Sequence, residues 1–244
     1  MDNTKPIKVL TLFITVFLSS GCNAKKIDNK PYFNENNQSD AFFDEPQALS
    51  SADNFIAMNE KIWDYPTELG HKSLGAKEVS SCAQLQIHLK EGFKAISDAD
   101  YAFVNAQSTI CSMWQQIGKF KPYSQSFMKE VKLNKEFASM VPASFSLQIS
   151  NKQIAKAKSA ASWNEASKIK KVETKSSHNA TFYDDTGSIQ RLTLMAKGDY
   201  NTDGIEDQLF FVENSVEGGS YSSTKAFIIT RLTANGSLSL IKEI

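Results

Sequence analysis

A stretch near the C terminus places oxygen-bearing side chains at alternating positions around a glycine. Four of them occupy positions 1, 3, 5 and 9 of the stretch: Asp199, Asn201, Asp203 and Asp207. Alternating carboxylate and amide oxygens let a tight loop wrap one cation, and Gly204 at position 6 permits the turn that points the carbonyl of Ile205 inward. Ligands that are all oxygen favour calcium or magnesium over zinc or copper.

The charge of this loop also favours a cation. Glu206 joins three aspartates within nine residues, and these carboxylates would repel one another without an ion. We therefore expect the four side chains and the Ile205 carbonyl to bind calcium or magnesium as a structural ion. Extracytoplasmic modules bind calcium weakly, at about 0.1 to 1 mM. An acidic turn that binds no ion is the alternative.

The stretch resembles the Asp-x-Asn-x-Asp-Gly-x-x-Asp loops of FG-GAP-type repeats and, less closely, the calcium loop of the EF-hand. An EF-hand needs a glutamate at position 12, where this chain has Phe210, and it needs flanking helices. In an FG-GAP-type loop the carboxylate at position 9 closes the site, and Asp207 matches it. The resemblance implies calcium binding by the same five residues in one β-hairpin, because only a single copy is present.

Familiar catalytic motifs are absent from the sequence. It contains no Gly-x-Ser-x-Gly, no His-Glu-x-x-His and no phosphate-binding glycine loop. The three histidines, His71, His88 and His178, are scattered along the chain. We therefore expect a protein that is not an enzyme, with a calcium-dependent envelope hydrolase of unrecognised catalytic residues as the alternative.

The first 22 residues have the layout of an export signal. Lys5 and Lys8 precede an apolar run from Val9 to Leu18, and Ser19-Ser20-Gly21-Cys22 follows. As a helix, the run of 10 residues would span roughly 15 Å, half of the roughly 30 Å hydrocarbon core of a bilayer. A cleaved signal therefore fits better than a membrane span.

The end of this signal resembles the bacterial lipobox, in which the signal is cleaved and the following cysteine is lipidated. The resemblance implies that residues 1–21 are removed and that Cys22 carries the membrane anchor. Asn23 after the cysteine, in place of aspartate, implies the periplasmic side of the outer membrane. Leucine usually stands three residues before the cysteine, where this chain has Ser19, so an ordinary secretory signal is the alternative.

Charge and cysteine content agree with a location in the cell envelope. The chain has 27 basic and 27 acidic residues, and a balanced charge gives no reason to expect nucleic acid as a partner. With Cys22 lipidated, Cys82 and Cys111 remain as one pair, which predicts a disulfide in an oxidising compartment. A redox pair or metal thiolates are the alternatives, although the Cys-x-x-Cys spacing of a redox pair is absent.

The first two parts of the mature chain differ in periodicity. Residues 22–50 are polar and aperiodic, which predicts a flexible tether unless their aromatic residues dock on the body or on a partner. Residues 51–176 are predicted to be mainly helical, with an antiparallel hairpin of two helices that carries both remaining cysteines. The apolar positions of these helices are Leu85, Leu89, Phe93 and Ile96, and then Phe103, Ala106, Ile110, Trp114 and Ile117. We expect Phe103 and Trp114 in the core.

The end of the helical part, residues 151–176, is rich in lysine. A solvated helix face explains this composition. The alternative is a surface that meets anionic lipid head groups near the anchor.

Residues 177–244 change to a period of two, with β-branched and aromatic residues, which predicts an antiparallel β region. Four candidate strands are Gln190–Ala196, Gln208–Glu213, Lys225–Thr233 and Ser237–Glu243. Their short connections, among them the tight-turn pair Asn235-Gly236, predict a meander. The fold class is then α+β, with helices first, a four-stranded sheet last, and the cation loop in its first hairpin.

The wider pattern also resembles a family of bacterial exported proteins that share a two-cysteine helical segment and the Gly198–Asp207 hairpin. A Gly-Gly-x-Tyr loop at 218–221 and a Thr230-Arg231 strand complete the pattern. This resemblance implies no particular activity. We expect a lipid-anchored binding or scaffold protein of the cell envelope, whose partner is an envelope protein or peptidoglycan, with an inhibitor or immunity-type lipoprotein as a further alternative.

Overall fold

The computed structural model describes Met1 and residues 29–128 and 131–244 of the chain. Most of the predicted signal, the lipidation site Cys22 and the start of the predicted tether lie outside the described residues. Among the residues that are described, no helix is both long enough and apolar enough to cross a membrane.

Ten strands form two antiparallel sheets within the described residues. In chain order they are β1 (Tyr32–Phe33), β2 (Thr67–His71), β3 (Gly75–Val79), β4 (Lys94–Ala95), β5 (Ile169–Ser176), β6 (Asn179–Asp184), β7 (Ser188–Gly198), β8 (Asp207–Val216), β9 (Ser222–Thr230) and β10 (Ser239–Glu243). The larger sheet has the order β10-β9-β8-β7-β6-β5, and β1 pairs with the end of β7. The smaller sheet has the order β3-β2-β4.

Six α-helices lie in the same part of the chain. They are α1 (Ala52–Ala57), α2 (Cys82–Lys90), α3 (Asp98–Ile117), α4 (Phe137–Met140), α5 (Asn151–Ser159) and α6 (Trp163–Ala166). Serine hydroxyls cap five of them, because an Oγ atom at the start of each accepts a backbone N–H three residues later at 3.3 Å. These serines are Ser51, Ser81, Ser97, Ser150 and Ser162.

The α+β class and the antiparallel meander are confirmed, but the meander has six consecutive strands where the sequence predicts four. The predicted strands correspond to β7–β10, whereas β5 lies in the lysine-rich stretch predicted as helical. This strand forms one edge of the sheet, and its lysines are exposed. Exposed lysines on an edge strand deter pairing with other chains, so the composition of a solvated helix also suits this position. The β region therefore begins at Ile169, not at residue 177.

The predicted disulfide is confirmed and its cysteines lie on two helices, although strand β4 lies between these helices in the chain. Cys82 in α2 and Cys111 in α3 form a disulfide, with their Cα atoms 5.4 Å apart and a sequence separation of 29. Closing a loop of this length stabilises the fold by roughly 3 to 4 kcal/mol in the chain-entropy model. The first helix is shorter than predicted, because α2 ends at Lys90 and leaves Phe93 and Ile96 beyond it.

The buried face of α3 matches the prediction only in its second half. Trp114 and Ile117 are buried as expected, whereas Phe103 is 48% exposed. Val104 takes the inward position instead, and Asn105 Oδ1 accepts the Thr224 N–H at 2.8 Å, which fixes the helix to β9. The prediction that Phe103 lies in the core is wrong, because one step along a helix rotates a side chain by about 100°.

The larger sheet is covered on both faces, so the fold has three layers. Phe211 and Ile228 lie on one face and pack beneath α1, α2 and α3. Phe210 and Ile229 lie on the other face, beneath the chain that runs from residue 133 to residue 169. Burial on both sides explains why β7, β8 and β9 carry nearly continuous apolar runs instead of a strict alternation.

Residues 29–50 pack against this body and do not form the predicted tether. Tyr32 and Phe33 of β1 pair with Lys197 and Ala196 of β7, where β6 no longer covers that strand. Backbone pairing and burial together offset the entropy that a polar segment loses on ordering. The tether prediction is therefore wrong for residues 29–50.

Aromatic packing holds the same segment to the helical layer. Phe42 is fully buried, and its ring centroid lies 4.6 Å from that of Trp63 and 5.1 Å from that of Trp114. The Trp114 Nε1 atom donates to the carbonyl of Asn37 at 2.8 Å. The N-terminal segment thus belongs to the hydrophobic core.

Replacing Phe42 with alanine should lower the free energy of unfolding by about 3 to 5 kcal/mol, because a fully buried aromatic ring leaves a cavity behind. The matched control is Phe103→Ala, the same substitution at an exposed site, which should cost less than about 1 kcal/mol. Urea denaturation followed by tryptophan fluorescence measures both. Equal losses in the two variants would show that the N-terminal segment is not part of the core.

Candidate metal centre

The predicted calcium loop connects β7 to β8. The two strands remain paired as far as Gly198 and Asp207, which close the base of the loop. Gly204 has a φ angle of +82°, a left-handed conformation that glycine adopts without strain. A Cβ atom on Gly198 would lie only 2.8 Å from the carbonyl oxygen of Lys121, so this position also requires glycine. The loop therefore lies in a β-hairpin and not between helices.

Asp199 organises the loop from its first position. The side chain is buried, and its carboxylate accepts the backbone N–H of Asp203 at 3.1 Å and that of Gly204 at 2.8 Å. Hydrogen bonds to an ionised carboxylate are stronger than neutral ones. They fold the middle of the loop back over its first residue.

Asn201 and Asp203 repeat this arrangement along the loop. Asn201 Oδ1 accepts the N–H of Asp203 at 3.1 Å, and Asp203 Oδ1 accepts the N–H of Ile205 at 2.8 Å. Asn201 Nδ2 also donates to Asp203 Oδ2 at 2.9 Å. Each side chain bonds to the backbone two residues later, as in an Asx turn, which holds its oxygen close to the loop.

Asp207 is the least satisfied member of the predicted ligand set. Its side chain is fully buried and its Oδ2 accepts the Tyr200 N–H at 2.8 Å, but Oδ1 has no hydrogen-bond partner among the described residues. Burial raises the pKa of Asp207 to about 6, and the charge of Asp203 adds to this rise, whereas the Thr230 hydroxyl on the neighbouring strand and the Tyr200 N–H oppose it. A buried polar atom without a partner costs about 1 to 3 kcal/mol, which a proton or a cation would offset.

A segment before the sheet holds the loop in place, and the sequence gives no sign of it. Lys121 and Asp199 exchange two backbone hydrogen bonds of 3.0 and 2.8 Å. The carbonyl of Gly204 accepts the N–H groups of Ser124 and Gln125 at 2.9 and 3.1 Å. Because these contacts join backbone to backbone, they require no particular side chain that a pattern could reveal.

Tyr200 connects the loop to the helical layer. Its hydroxyl donates to Gln116 Oε1 of α3 at 2.8 Å, and its ring centroid lies 5.5 Å from that of Phe120. Burial raises the pKa of Tyr200, so the hydroxyl remains a donor at neutral pH. The loop is thereby tied to the helix that carries the disulfide.

The predicted ligands fit a hard cation by their chemistry, although the ionisable groups alone do not form a metal cluster. In the part of the chain that the structure describes, no group of three or more His, Cys, Asp or Glu side chains could hold a metal ion. The predicted set also uses the Asn201 amide and the Ile205 carbonyl, and the Asp207 Oδ1 atom lacks a partner. Such oxygen ligands suit calcium. Calcium binding by these residues stays a prediction.

The three histidines pack against aromatic rings. His71 and His88 pack against the Phe93 ring, with centroids 5.0 and 5.2 Å from it. His178 stacks on Tyr32 at 4.8 Å. These contacts give each imidazole a packing role.

A cavity of about 440 Å³ lies beside the loop, lined in part by Tyr123 and Glu206. Burial and the charge of Glu206 raise the pKa of Tyr123 to about 12, so this hydroxyl stays protonated and can donate a hydrogen bond. Met128 and Val131 also line the cavity and flank residues outside the described part. We assign no activity to it.

No family model, no curated protein and no solved structure matches this chain. Its function must therefore be inferred from its own residues and surfaces.

Without an ion, the stability of the protein should depend on pH through Asp207. An acid whose pKa is higher in the folded state favours folding when protonated. Its contribution is fully present below the ordinary pKa of 3.8 and is lost as the pH rises through about 6. In the presence of a chelator, Asp207→Asn should be about 1 to 3 kcal/mol more stable than the unmodified protein near pH ~7, because it buries no charge.

Urea denaturation over a pH series measures this difference, which should shrink toward pH ~4. Glu217→Gln serves as the control, because it neutralises an exposed carboxylate in a turn of the same sheet. If the difference in the free energy of unfolding between Asp207→Asn and the unmodified protein stayed constant with pH, Asp207 would not have a raised pKa.

Proposed function

We propose that this chain is a lipid-anchored binding or scaffold protein of the cell envelope, stabilised by one calcium ion in the loop between β7 and β8. The observation that carries the calcium site is the buried Oδ1 atom of Asp207, which has no partner among the described residues and belongs to the ninth position of the motif. The anchor rests on the resemblance of residues 1–22 to a lipoprotein signal.

The surroundings of the loop support a structural role for calcium. Both ends of the loop continue into paired strands, and the Gly204 carbonyl is held by two backbone N–H groups. A loop fixed in this way has little freedom to move on binding, so an ion would lock the central hairpin of the sheet. Asp207 is also closed off from solvent, which prevents it from touching a substrate.

The disulfide supports the proposed location in the cell envelope. Cys82 and Cys111 are bonded and buried, and such bonds persist mainly in oxidising compartments. A cell-envelope location also supplies the millimolar calcium that a weak extracytoplasmic site needs.

Calcium should bind the full chain carrying Cys22→Ser, which abolishes lipidation and keeps the protein soluble. Calorimetric titration should give one saturable site with a dissociation constant of about 0.1 to 1 mM, and calcium should raise the melting temperature by mass action. Asp203→Asn combined with Asp207→Asn should lose both effects.

The control pair for this experiment is Asp185→Asn with Glu217→Gln, because both residues are exposed and lie in other turns of the sheet. It should bind calcium as the parent chain does. Absence of binding at ~10 mM calcium, well above the usual range for extracytoplasmic modules, would exclude the site.

Lipidation should depend on Cys22 alone. When the full chain is produced in bacteria fed with labelled palmitate, the parent protein should carry label and sediment with membranes. Cys22→Ser should lose the label and appear in the soluble fraction, whereas Cys82→Ser should keep it. Label on the Cys22→Ser protein would contradict the proposed anchor.

A further inference from the structure

A polar groove of about 560 Å³ opens on the larger sheet. One wall is formed by β7 and β8, where Arg191 and Glu213 line the groove. Side chains two residues apart on a strand share a face, so these residues lie on the same face as Phe211, which is covered by the helical layer. The groove therefore occupies the part of this face that the helices leave uncovered.

The second wall is the N-terminal segment that follows β1, and it is held rigidly. The backbone N–H of Asn34 donates to the Met195 carbonyl at 2.9 Å, and Asn34 Nδ2 donates to the Leu194 carbonyl at 2.7 Å. Tyr32 lines the groove and is stacked on His178. A preformed wall lowers the entropy cost of binding a ligand.

Amide side chains form a part of the polar surface of the groove. Four of them line it: Asn34, Asn36, Gln38 and Asn179. Part of their capacity is used within the protein, since Asn34 holds the wall and Asn179 Nδ2 donates to Thr193 Oγ1 at 2.7 Å. The buried Asn179 Oδ1 atom has no partner among the described residues and can accept a hydrogen bond from a ligand. Hydroxyl and acetamido groups can both donate to it.

The charges in the groove balance. The basic lining residues Lys175 and Arg191 are matched by the acidic Asp40 and Glu213, and Arg191 Nη1 lies 3.4 Å from Glu213 Oε2 on the same wall. Burial and the nearby Lys197 lower the pKa of His178, which keeps its ring neutral at neutral pH. A groove without net charge does not select an anion or a cation.

Apolar ligands are also disfavoured. None of the described residues that line the groove is aliphatic, whereas sites for apolar small molecules are lined mainly by hydrophobic side chains. The volume lies within the range of about 300 to 1,000 Å³ that is common for small-ligand sites.

We infer that this groove binds a neutral oligosaccharide, with acetamido sugars as the preferred class. This inference rests on the proposed function, since it names the partner of the envelope binding protein. An anchored protein would meet such a glycan in the sugar strands of the cell wall or in another envelope glycan, and the two sources share the same recognition chemistry.

The test uses the full chain carrying Cys22→Ser, saturated with calcium. The probes are the tetramer of N-acetylglucosamine and maltotetraose, titrated by calorimetry, and insoluble peptidoglycan, in a co-sedimentation assay. The groove variant combines Arg191→Ala with Glu213→Ala. The matched control combines Lys171→Ala with Glu173→Ala, which removes another exposed ion pair, on β5 and outside the groove.

The acetamido tetramer should bind the parent and the control equally, and the groove variant at least about tenfold more weakly, because charged hydrogen-bond partners are lost. Co-sedimentation would identify peptidoglycan as the source, and tetramer binding without it would indicate another envelope glycan. Absence of binding to all three probes, in protein that calcium still stabilises, would overturn this inference and leave the proposed calcium site intact. An equal loss of affinity for the tetramer in the groove variant and in the control variant would also overturn the inference.

Discussion

Strands β7, β8 and β9 carry apolar side chains on both faces, so each face needs a covering layer. The disulfide-bonded helices cover one face, and residues 133–169 cover the other. The helical layer also includes a residue from a distant part of the chain. Phe42, which the sequence pattern places in a tether, fills the space between Trp63 and Trp114. Burial of this face of the larger sheet therefore explains why residues 29–50, which are polar and aperiodic in sequence, pack against the helical layer.

Burial against the same core also determines the electrostatics of the loop between β7 and β8. Asp207 is the first residue of β8, and its position at the edge of the core removes its carboxylate from water. One oxygen is satisfied by the Tyr200 N–H, and the other has no partner in the described chain. Because a buried charge is costly unless it is paired, the loop gains most from a ligand that brings positive charge. In the proposed state calcium supplies that charge, and protonation supplies a partial substitute at low pH.

A different surface forms where the helical cover ends. There the sheet presents Arg191 and Glu213, and the N-terminal segment completes a groove with balanced charge. We propose separate roles for the two sites, with the metal site stabilising the hairpin and the groove contacting a partner. They are linked through β7, which supplies Gly198 at the base of the loop and Arg191 to the groove.

The sequence by itself determined the features that depend on local spacing. Alternating oxygens around Gly204 place the loop in a hairpin, and the pair of cysteines left after Cys22 predicts the disulfide. These signals are readable because the interacting residues are close in the chain or few in number. About half of the larger sheet was predictable in the same way, since β7–β10 show strand periodicity and short turns.

The tertiary structure alone decided the remainder. Lysines on an edge strand and lysines on a solvated helix give the same composition, so β5 was not distinguishable from a helix. Lys121 and Gln125 contact the loop through backbone hydrogen bonds, which leave no trace in residue types. The burial of Phe42 and the exposure of Phe103 depend on which distant surfaces meet, and contacts between residues far apart in the chain are not encoded by any local pattern.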